Sequence, residues 1–221
     1  GGCASVGVAG GFSQGGGFGS FSKKFGTGAA GIVQVEVVTA DGKIRIANEF
    51  QNQDLFWAIR GGGGGSYGVV TKMTLKLHDL PSSFGIFKGD IHAANDDAYK
   101  NLIKKYLEFY QNKLNNEHWG EQFSFNKADV LNIFLVSQGI NESEAQQIWQ
   151  SFIIWVKSKP DSYTITTNYI TIPANKMWDY TYWEKTHPEL VTKNTSAGAR
   201  DGEFWWTPNT GEVSQYIYTY Q

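Results

Sequence analysis

The first 26 residues, GGCASVGVAGGFSQGGGFGSFSKKFG, constrain the fold most, because ten of them are glycine. Glycine has no Cβ, so it adopts positive φ and lets a flat or phosphorylated ligand lie against backbone N–H groups. A flexible linker is the alternative, but a linker would lack the apolar residues that are interleaved here and that we expect to be buried. These residues are Val6, Val8, Phe12, Phe18, Phe21 and Phe25. The segment therefore predicts an ordered loop in close contact with a large ligand.

Composition excludes two classes of partner. The formal net charge is -2 and the sequence pI is about 6.1, so the chain lacks the positive charge that attracts nucleic acid or anionic lipid. No apolar run approaches the roughly 18 residues of a membrane-spanning helix. The start has neither a methionine nor a basic stretch followed by an apolar one, so we expect a processed chain or a piece of a longer one.

The single cysteine, Cys3, cannot form an internal disulfide. It is a buried hydrophobe, an intermolecular partner or a reactive thiol. Two glycosylation sequons, Asn141-Glu142-Ser143 and Asn194-Thr195-Ser196, favour a secreted protein.

Residues 32–80 predict a small sheet with one helix. IVQVEVVT and KIRIAN alternate apolar and polar residues, and a tight turn at Asp41-Gly42 makes them a hairpin. NQDLFWAIR predicts a short helix with Asp54 as N-cap and with Leu55, Ala58 and Ile59 on its apolar side. YGVVTKMTLKLHDL predicts a third strand, ended by Pro81, whose inward residues are Val70, Met73, Leu75 and Leu77.

Glycine becomes rare after residue 90, and two amphipathic helices are predicted near 95–114 and 143–157. Ser143 resembles the first residue of a capping box. VLNIFLVSQ, SYTITTNYIT and EVSQYIYTY have strand patterns. The apolar stripe of the first helix comprises Tyr99, Leu102, Ile103, Tyr106, Leu107 and Tyr110. We therefore predict an α+β fold with a first domain at 1–80 and a second, with an antiparallel sheet and flanking helices, at 81–221.

Two strings match the dinucleotide pattern G-x-G-x-x-G, GTGAAG from Gly26 and GGGSYG from Gly63. In a dinucleotide-binding fold this turn feeds a helix, whereas each string here precedes a predicted strand. The four histidines are dispersed, without a second ligand at metal spacing. Neither a Rossmann domain nor a metal site is predicted.

Three stretches in order, CASVGVAGGFSQGGGFGSFSKKFGTGA, VEVVTADG and NQDLFWAIRGGGGGSYGVVTKMTLKL, resemble the second half of a PCMH-type FAD-binding domain. The family is that of the flavin-linked oxidases related to berberine bridge enzyme, in the vanillyl-alcohol-oxidase-like superfamily. WDYTYW and GEFWWTPNTGEVSQYIYTYQ resemble segments of microbial members. The resemblance covers about residues 1–78 well, and it implies that the first half of the flavin domain precedes Gly1.

The resemblance implies that Cys3 is joined to the 6-carbon of the flavin ring, whereas the alternative is an inert buried thiol. It also places Val6 as a gate over the flavin carbon that meets dioxygen, with valine as the oxygen-admitting form; Val6 as a core residue is the alternative. This sequence departs from the family at Ala4, often a proline, and at Gly11, a histidine in some plant relatives. The cofactor-binding residues implied are Cys3, Ser5, Val6, Gly7, Gly10, Gly11, Gly15, Gly16, Gly17, Gly19, Gly68, Val69 and Val70.

The leading hypothesis is thus an FAD-dependent oxidase that takes hydride from an alcohol, sugar or similar small molecule and reduces dioxygen to hydrogen peroxide. The aromatic residues of the second domain form either a substrate platform or part of the core. They are Trp178, Tyr180, Tyr182, Trp183, Trp205 and Trp206. The alternatives are a non-enzymatic carbohydrate- or protein-binding module and an inactive truncated relative. The candidates for a catalytic base, Asp179, Glu184, Glu203 and Glu212, are each better explained as structural or surface carboxylates.

Overall fold

A computed structural model of the chain describes residues 7–177, 179–193, 204–206 and 216–217. The backbone forms two compact units. The glycine-rich unit contains residues 7–19, 25–79 and the described residues from 179 onward, and the four-stranded unit contains residues 20–24 and 80–177. Helices and antiparallel sheets occur together, so the predicted α+β class is confirmed. The predicted domain ranges, 1–80 and 81–221, stay a prediction about the whole protein.

The glycine-rich unit contains an antiparallel sheet in the order β2-β1-β3, made of β1 (Ile32–Val38), β2 (Ile44–Asn48) and β3 (Val69–Leu75). The predicted hairpin at Asp41-Gly42 is confirmed. Gly42 takes a φ of 75°, and its N–H donates to the Thr39 carbonyl at 2.8 Å. A left-handed residue is what this tight reversal requires, and glycine adopts it without strain.

β3 ends at Leu75 rather than near Pro81, so it is shorter than predicted. Two register irregularities interrupt its pairing with β1. Val70, Met73 and Leu75 pack against the core as expected, but Leu77 is 89% exposed. The prediction continued the apolar–polar alternation of β3 to Leu77, beyond the end of the strand. Outside a strand this alternation does not determine which face a side chain occupies.

The helix predicted at 52–60 is present as α2 (Gln53–Ile59). The prediction of Asp54 as N-cap is wrong: Asn52, at a φ of 48°, precedes the helix and Asp54 lies in its first turn. Phe56 and Ile59 are the buried residues, whereas Leu55 and Ala58 are only half-buried. Phe56 and Ile59 pack against the sheet. The small core that results consists of Ile32, Val35, Val37, Ala47, Phe56 and Ile59.

The four-stranded unit contains an antiparallel sheet in the order β5-β6-β4-β7. β6 (Val130–Gln138) and β7 (Tyr163–Pro173) were predicted. The other two strands, β4 (Ser83–Ala93) and β5 (Trp119–Asn126), were not predicted. Glycines occupy two inward positions of β4, and in β5 a run of Gly120, Glu121 and Gln122 interrupts the apolar pattern. Both predicted helices are confirmed as α3 (Asp96–Phe109), continued by a π-helical turn Tyr110–Leu114, and α4 (Glu142–Lys157).

The caps and stripes of these helices differ in detail from the prediction. Asn141, not Ser143, begins the capping box, with Glu144 as its partner. Asn95 caps α3 through Ala98 N–H. On α3 the buried residues are Ala98, Leu102, Tyr106 and Phe109, whereas Leu107 is exposed.

An aromatic layer joins α3 and α4 to one face of the sheet. Phe87 of β4 and Trp149 of α4 stack with ring centroids 3.7 Å apart, and Phe109 stacks on Phe152 at 5.0 Å. Because side chains alternate along a strand, Lys88 and Asp90 of β4 point to the opposite face. There the Asn132 amide donates to Asp90 Oδ1 at 2.5 Å, so this face carries polar groups.

Residues 20–24 belong to the four-stranded unit, where they pack against its sheet, and they contribute most of α1 (Ser22–Phe25). Phe21 stacks on Phe84 at 5.7 Å, and Lys23 Nζ donates to the Leu114 carbonyl at 3.1 Å. A Cβ at Gly120 would lie 2.3 Å from Ser20 Cβ, so this contact requires glycine.

Near the end of the described chain lie α5 (Tyr180–Thr186) and an antiparallel sheet of β8 (Val191–Lys193), β9 (Phe204–Trp206) and β10 (Tyr216–Ile217). Of the predicted strand EVSQYIYTY only Tyr216–Ile217 lies within the described residues. No helix in the described part of the chain is both long and apolar enough to cross a membrane.

Candidate functional site

Two glycine-rich segments of the same unit fold against each other. The first is the loop at residues 7–19, called here the glycine loop, which opens with a π-helical turn Val8–Phe12. The second is the run Gly61–Gly65. Gly63 N–H donates to the Gln14 carbonyl at 2.9 Å, and a Cβ at Gly64 would lie 3.2 Å from the Gly10 carbonyl oxygen. Residues about 50 positions apart in the sequence thus form one backbone surface.

Gln14 holds the glycine loop in this shape. Only 5% of the residue is exposed, and its Nε2 donates to the Ala9 carbonyl at 2.7 Å. Its own carbonyl accepts the bond from Gly63, so one residue ties the first turn of the loop to the second glycine run. Gln14 was not among the predicted site residues. The signal in the sequence was a long polar side chain between two glycine clusters.

The end of the glycine loop contacts a third glycine-rich stretch near residue 28. Gly16 and Gly17 have φ of 108° and 71°, and their carbonyls accept from Ala29 N–H at 3.0 Å and Gly28 N–H at 2.8 Å. A Cβ at Gly17 would lie 2.8 Å from Gly28 Cα. Glycine is therefore required at position 17 for both conformation and space.

Other glycines of the loop have room above them. A Cβ built on any of Gly10, Gly11, Gly16 or Gly19 would meet no heavy atom within 4 Å. Residues 7–19 contain no ionisable side chain, so the groups that the loop offers to a ligand are backbone N–H and C=O. Such a surface suits a flat or phosphorylated molecule that approaches the backbone closely.

The three predicted site residues near β3 occupy different environments. A Cβ at Gly68 would lie 2.5 Å from the Val38 carbonyl oxygen, so Gly68 allows close packing against β1. Val70 packs against the core, and Val69 is 66% exposed. Among the three, only Val69 presents a side chain outward; a ligand contact at these positions stays a prediction.

The expected burial of the apolar residues among the first 26 positions is wrong in part. Phe18 is 81% exposed and Val8 is 46% exposed, whereas Phe12, Phe21 and Phe25 are half-buried. Backbone hydrogen bonds and the buried amide of Gln14, rather than buried apolar side chains, give the loop its order. Cys3, Ser5 and Val6 lie outside the described residues, so their predicted roles stay predictions.

Of the six aromatic residues considered for a substrate platform, the structure describes the side chains of Tyr182 and Trp183. Trp183 is fully buried and contacts Tyr182 and His187, with ring centroids 5.9 and 5.6 Å away, which favours the core alternative for this residue. Nothing is described of the side chains of Trp178, Tyr180, Trp205 and Trp206. Asp179 accepts from Tyr182 N–H at 3.1 Å as the cap of α5, the structural role expected of it. Glu203 and Glu212 lie outside the described residues.

The described titratable groups do not form a metal site or a coupled acid–base pair at the glycine loop. No group of three or more His, Cys, Asp or Glu within the described ranges could hold a metal ion. Burial raises the pKa of Tyr163, whose hydroxyl donates to the Ala98 carbonyl. The hydrogen bond from the Thr39 hydroxyl lowers the pKa of Asp41 in the hairpin turn.

Comparison with curated proteins finds many relatives. An FAD-linked oxidoreductase, malF of Malbranchea aurantiaca, is 56% identical over 82 residues, which are 37% of this chain and 14% of that protein. No protein-family model matches the chain.

Solved structures that are similar to this chain also include flavoproteins and related enzymes. The VAO-type flavoprotein MtVAO615 of Myceliophthora thermophila aligns over 84% of this chain and 33% of its own, with a TM-score of 0.70 and 26% identity. Berberine bridge enzyme of Eschscholzia californica aligns over 76% of this chain and 33% of its own, with a TM-score of 0.58 and 26% identity. The chain therefore spans no more than about a third of these proteins.

Proposed function

We propose that this chain, a relative of the VAO-type and berberine bridge enzyme-like flavoproteins, is part of an FAD-dependent oxidase of small molecules. The observation that carries the proposal is the surface on which the glycine loop meets the run Gly61–Gly65 through Gln14 and Gly63. The name of the relative malF, an FAD-linked oxidoreductase, supports the cofactor.

The residues of the glycine loop fit FAD. The open positions Gly10, Gly11, Gly16 and Gly19 let the planar ring and its polar chain approach the backbone, where N–H groups donate to carbonyl, ring-nitrogen or phosphate acceptors. FAD held by these residues would supply a hydride acceptor for a substrate carbon and a route for the two electrons to dioxygen, with hydrogen peroxide as the product. The chain's own contribution is to bind and orient: Gln14 fixes the first turn, and Gly17 fixes the last.

Two finer features complete the proposal. Cys3 attaches the flavin covalently through its sulfur, and Val6 leaves space for dioxygen where a leucine would fill it. Packed interiors have little room to accept even one extra methylene, so a residue of this size can govern access of a small apolar molecule. The support for both features is the resemblance of the surrounding motif, CASVGVAGG.

The substrate is an alcohol, a sugar or a similar small molecule. The support for a small-molecule substrate is the similarity to proteins named FAD-linked oxidoreductases. Secretion is part of the proposal and is supported by the two sequons.

The test uses the full-length protein carrying flavin. Under anaerobic conditions a panel of alcohols and sugars is added and the flavin absorbance is followed. We expect bleaching by at least one class, and one hydrogen peroxide per substrate oxidised when air is admitted. A flavin-loaded protein whose reduced form is reoxidised only by another electron acceptor would contradict the oxidase assignment and leave FAD binding intact.

A further inference from the structure

The sequon Asn141-Glu142-Ser143 lies at the start of α4, and its asparagine is exposed. Asn141 Oδ1 accepts from Glu144 N–H at 3.0 Å, and Asn141 N–H donates to Glu144 Oε2 at 2.8 Å. A side-chain amide has one oxygen and one NH₂ group. Because the cap uses the oxygen, Nδ2 is not needed for it, and Nδ2 is the atom to which a sugar is attached in N-glycosylation.

A groove begins at the third residue of the sequon. It has a volume of about 650 Å³ and follows α4 from Ser143 to Lys157, with Thr167–Tyr169 of β7 along its other side. At 1.5 Å per residue this stretch of helix is about 20 Å long, which is enough for several sugar rings placed end to end.

The lining of the groove matches the chemistry of a neutral glycan. Three amide side chains on α4, from Gln146, Gln147 and Gln150, offer both donors and acceptors to sugar hydroxyl and acetamido groups. Lys157 is the one charged residue among those lining the groove.

One apolar residue that lines the groove is exposed: Ile154 of α4 is 58% exposed. A sugar ring presents hydroxyls along its edge and C–H groups on its face, so its face can pack on this side chain while its hydroxyls meet the amides.

We propose that Asn141 carries an N-linked glycan whose first sugars lie in this groove. The donor is an oligosaccharide linked to a lipid pyrophosphate. A bond forms between Asn141 Nδ2 and the sugar C1, the bond from C1 to the phosphate oxygen breaks, and Nδ2 loses one proton as the lipid pyrophosphate leaves. Oδ1 continues to cap α4, so the modification does not cost the helix its N-terminal hydrogen bond.

Attachment is tested with the full-length protein made in a eukaryotic secretory host. Peptide mass spectrometry should find a glycan on the peptide that contains Asn141. Ser143→Ala should abolish it and Ser143→Thr should retain it, and both variants keep the asparagine cap. Unmodified Asn141 in folded wild-type protein overturns the proposal.

Occupation of the groove is tested by digestion with an endoglycosidase that leaves one sugar. We expect the native wild-type glycoprotein to be cleaved at least tenfold more slowly than the denatured one. Gln146→Ala combined with Gln150→Ala should remove this protection at unchanged glycan occupancy, whereas Gln122→Ala on β5 should retain it. Equal rates for native and denatured wild type would show that the glycan extends into solvent, and would overturn this part of the proposal.

Discussion

The two compact units become ordered by different means. In the four-stranded unit, large side chains interlock: Trp149 lies against Phe87 at 3.7 Å and against Phe109 at 4.9 Å. In the glycine-rich unit, the loop at residues 7–19 is held by backbone hydrogen bonds and by the amide of Gln14, and Phe18 remains 81% exposed.

Because of this difference, we expect one unit to determine the folding stability and the other to determine the affinity for the cofactor. A buried aromatic side chain contributes several kcal/mol to folding, whereas one hydrogen bond contributes about 0.5–1.5 kcal/mol. Changes in the aromatic layer should therefore lower the free energy of unfolding. Changes in the glycine loop should mainly lower affinity for the cofactor, because the backbone surface itself is the binding site that we propose.

The largest effect is expected from Trp149→Ala, which leaves a cavity beside Phe87 and Phe109. The free energy of unfolding should fall by about 3–5 kcal/mol, measured by urea denaturation of the full-length protein. Leu107→Ala, at an exposed position of α3, is the control and should change it by less than about 1 kcal/mol. Equal losses in the two variants would show that the aromatic layer does not dominate the stability of this unit.

The next largest effect is expected from Gly17→Ala. A Cβ at this position would overlap Gly28 Cα at 2.8 Å, and the φ of 71° is unfavourable for alanine. The strain, of order 1–3 kcal/mol, should displace the end of the loop and weaken FAD binding roughly 5- to 150-fold. Titration is done in a Cys3→Ala background, so that the flavin can exchange.

Gly31→Ala is the matched control for Gly17→Ala, because a Cβ at Gly31 meets no heavy atom within 4 Å and its φ is not in the left-handed region. It should bind FAD as the Cys3→Ala parent does. If Gly17→Ala also binds like the parent, the conformation at Gly17 is irrelevant to the cofactor.

A smaller effect is expected from Gln14→Glu, in the same background. At neutral pH the carboxylate cannot donate to the Ala9 carbonyl, so the first turn of the loop loses its brace. The dissociation constant for FAD should rise on the order of tenfold, which corresponds to about 1.4 kcal/mol. Gln34→Glu in β1 is the control, because Gln34 accepts through Oε1 from Asn48 and glutamate can do the same.

Sequence patterns predicted a helix or strand correctly where one face of that element is buried and the other is exposed. The hairpin, both long helices and β6 follow from periodicity, since their inward residues recur at the spacing of a strand or a helix. β4 was missed because Gly85 and Gly89 occupy inward positions, where a strand pattern has large apolar residues.

The glycine loop shows why the candidate site was only partly predictable. Its composition identified it, but its shape depends on the contact between Gln14 and Gly63, 49 residues apart, which no local pattern encodes. Burial of Phe18 and Val8 was inferred from their apolar character alone, which does not determine exposure in a loop ordered by its backbone.

The smallest effect concerns the pH dependence of the hairpin turn in the glycine-rich unit. The Thr39 hydroxyl bond lowers the pKa of Asp41, so the carboxylate stabilises the turn above its unfolded pKa, near 4. This contribution is lost as the pH falls through the lower folded pKa. We expect Asp41→Asn to reduce the change in Gly42 amide chemical shift between pH 5 and pH 2. An unaltered shift profile would show that Asp41 does not control the turn.

The central claim is that the glycine loop belongs to a flavin site. Its most direct test is the flavin content of the folded, full-length native protein, read from its absorbance spectrum before and after acid precipitation and from the mass of the peptide containing Cys3. We predict about one flavin per chain, colour that stays with the precipitate, and a flavin-sized mass addition on that peptide. A folded full-length protein that contains no flavin and shows no saturable binding of added FAD would contradict the account.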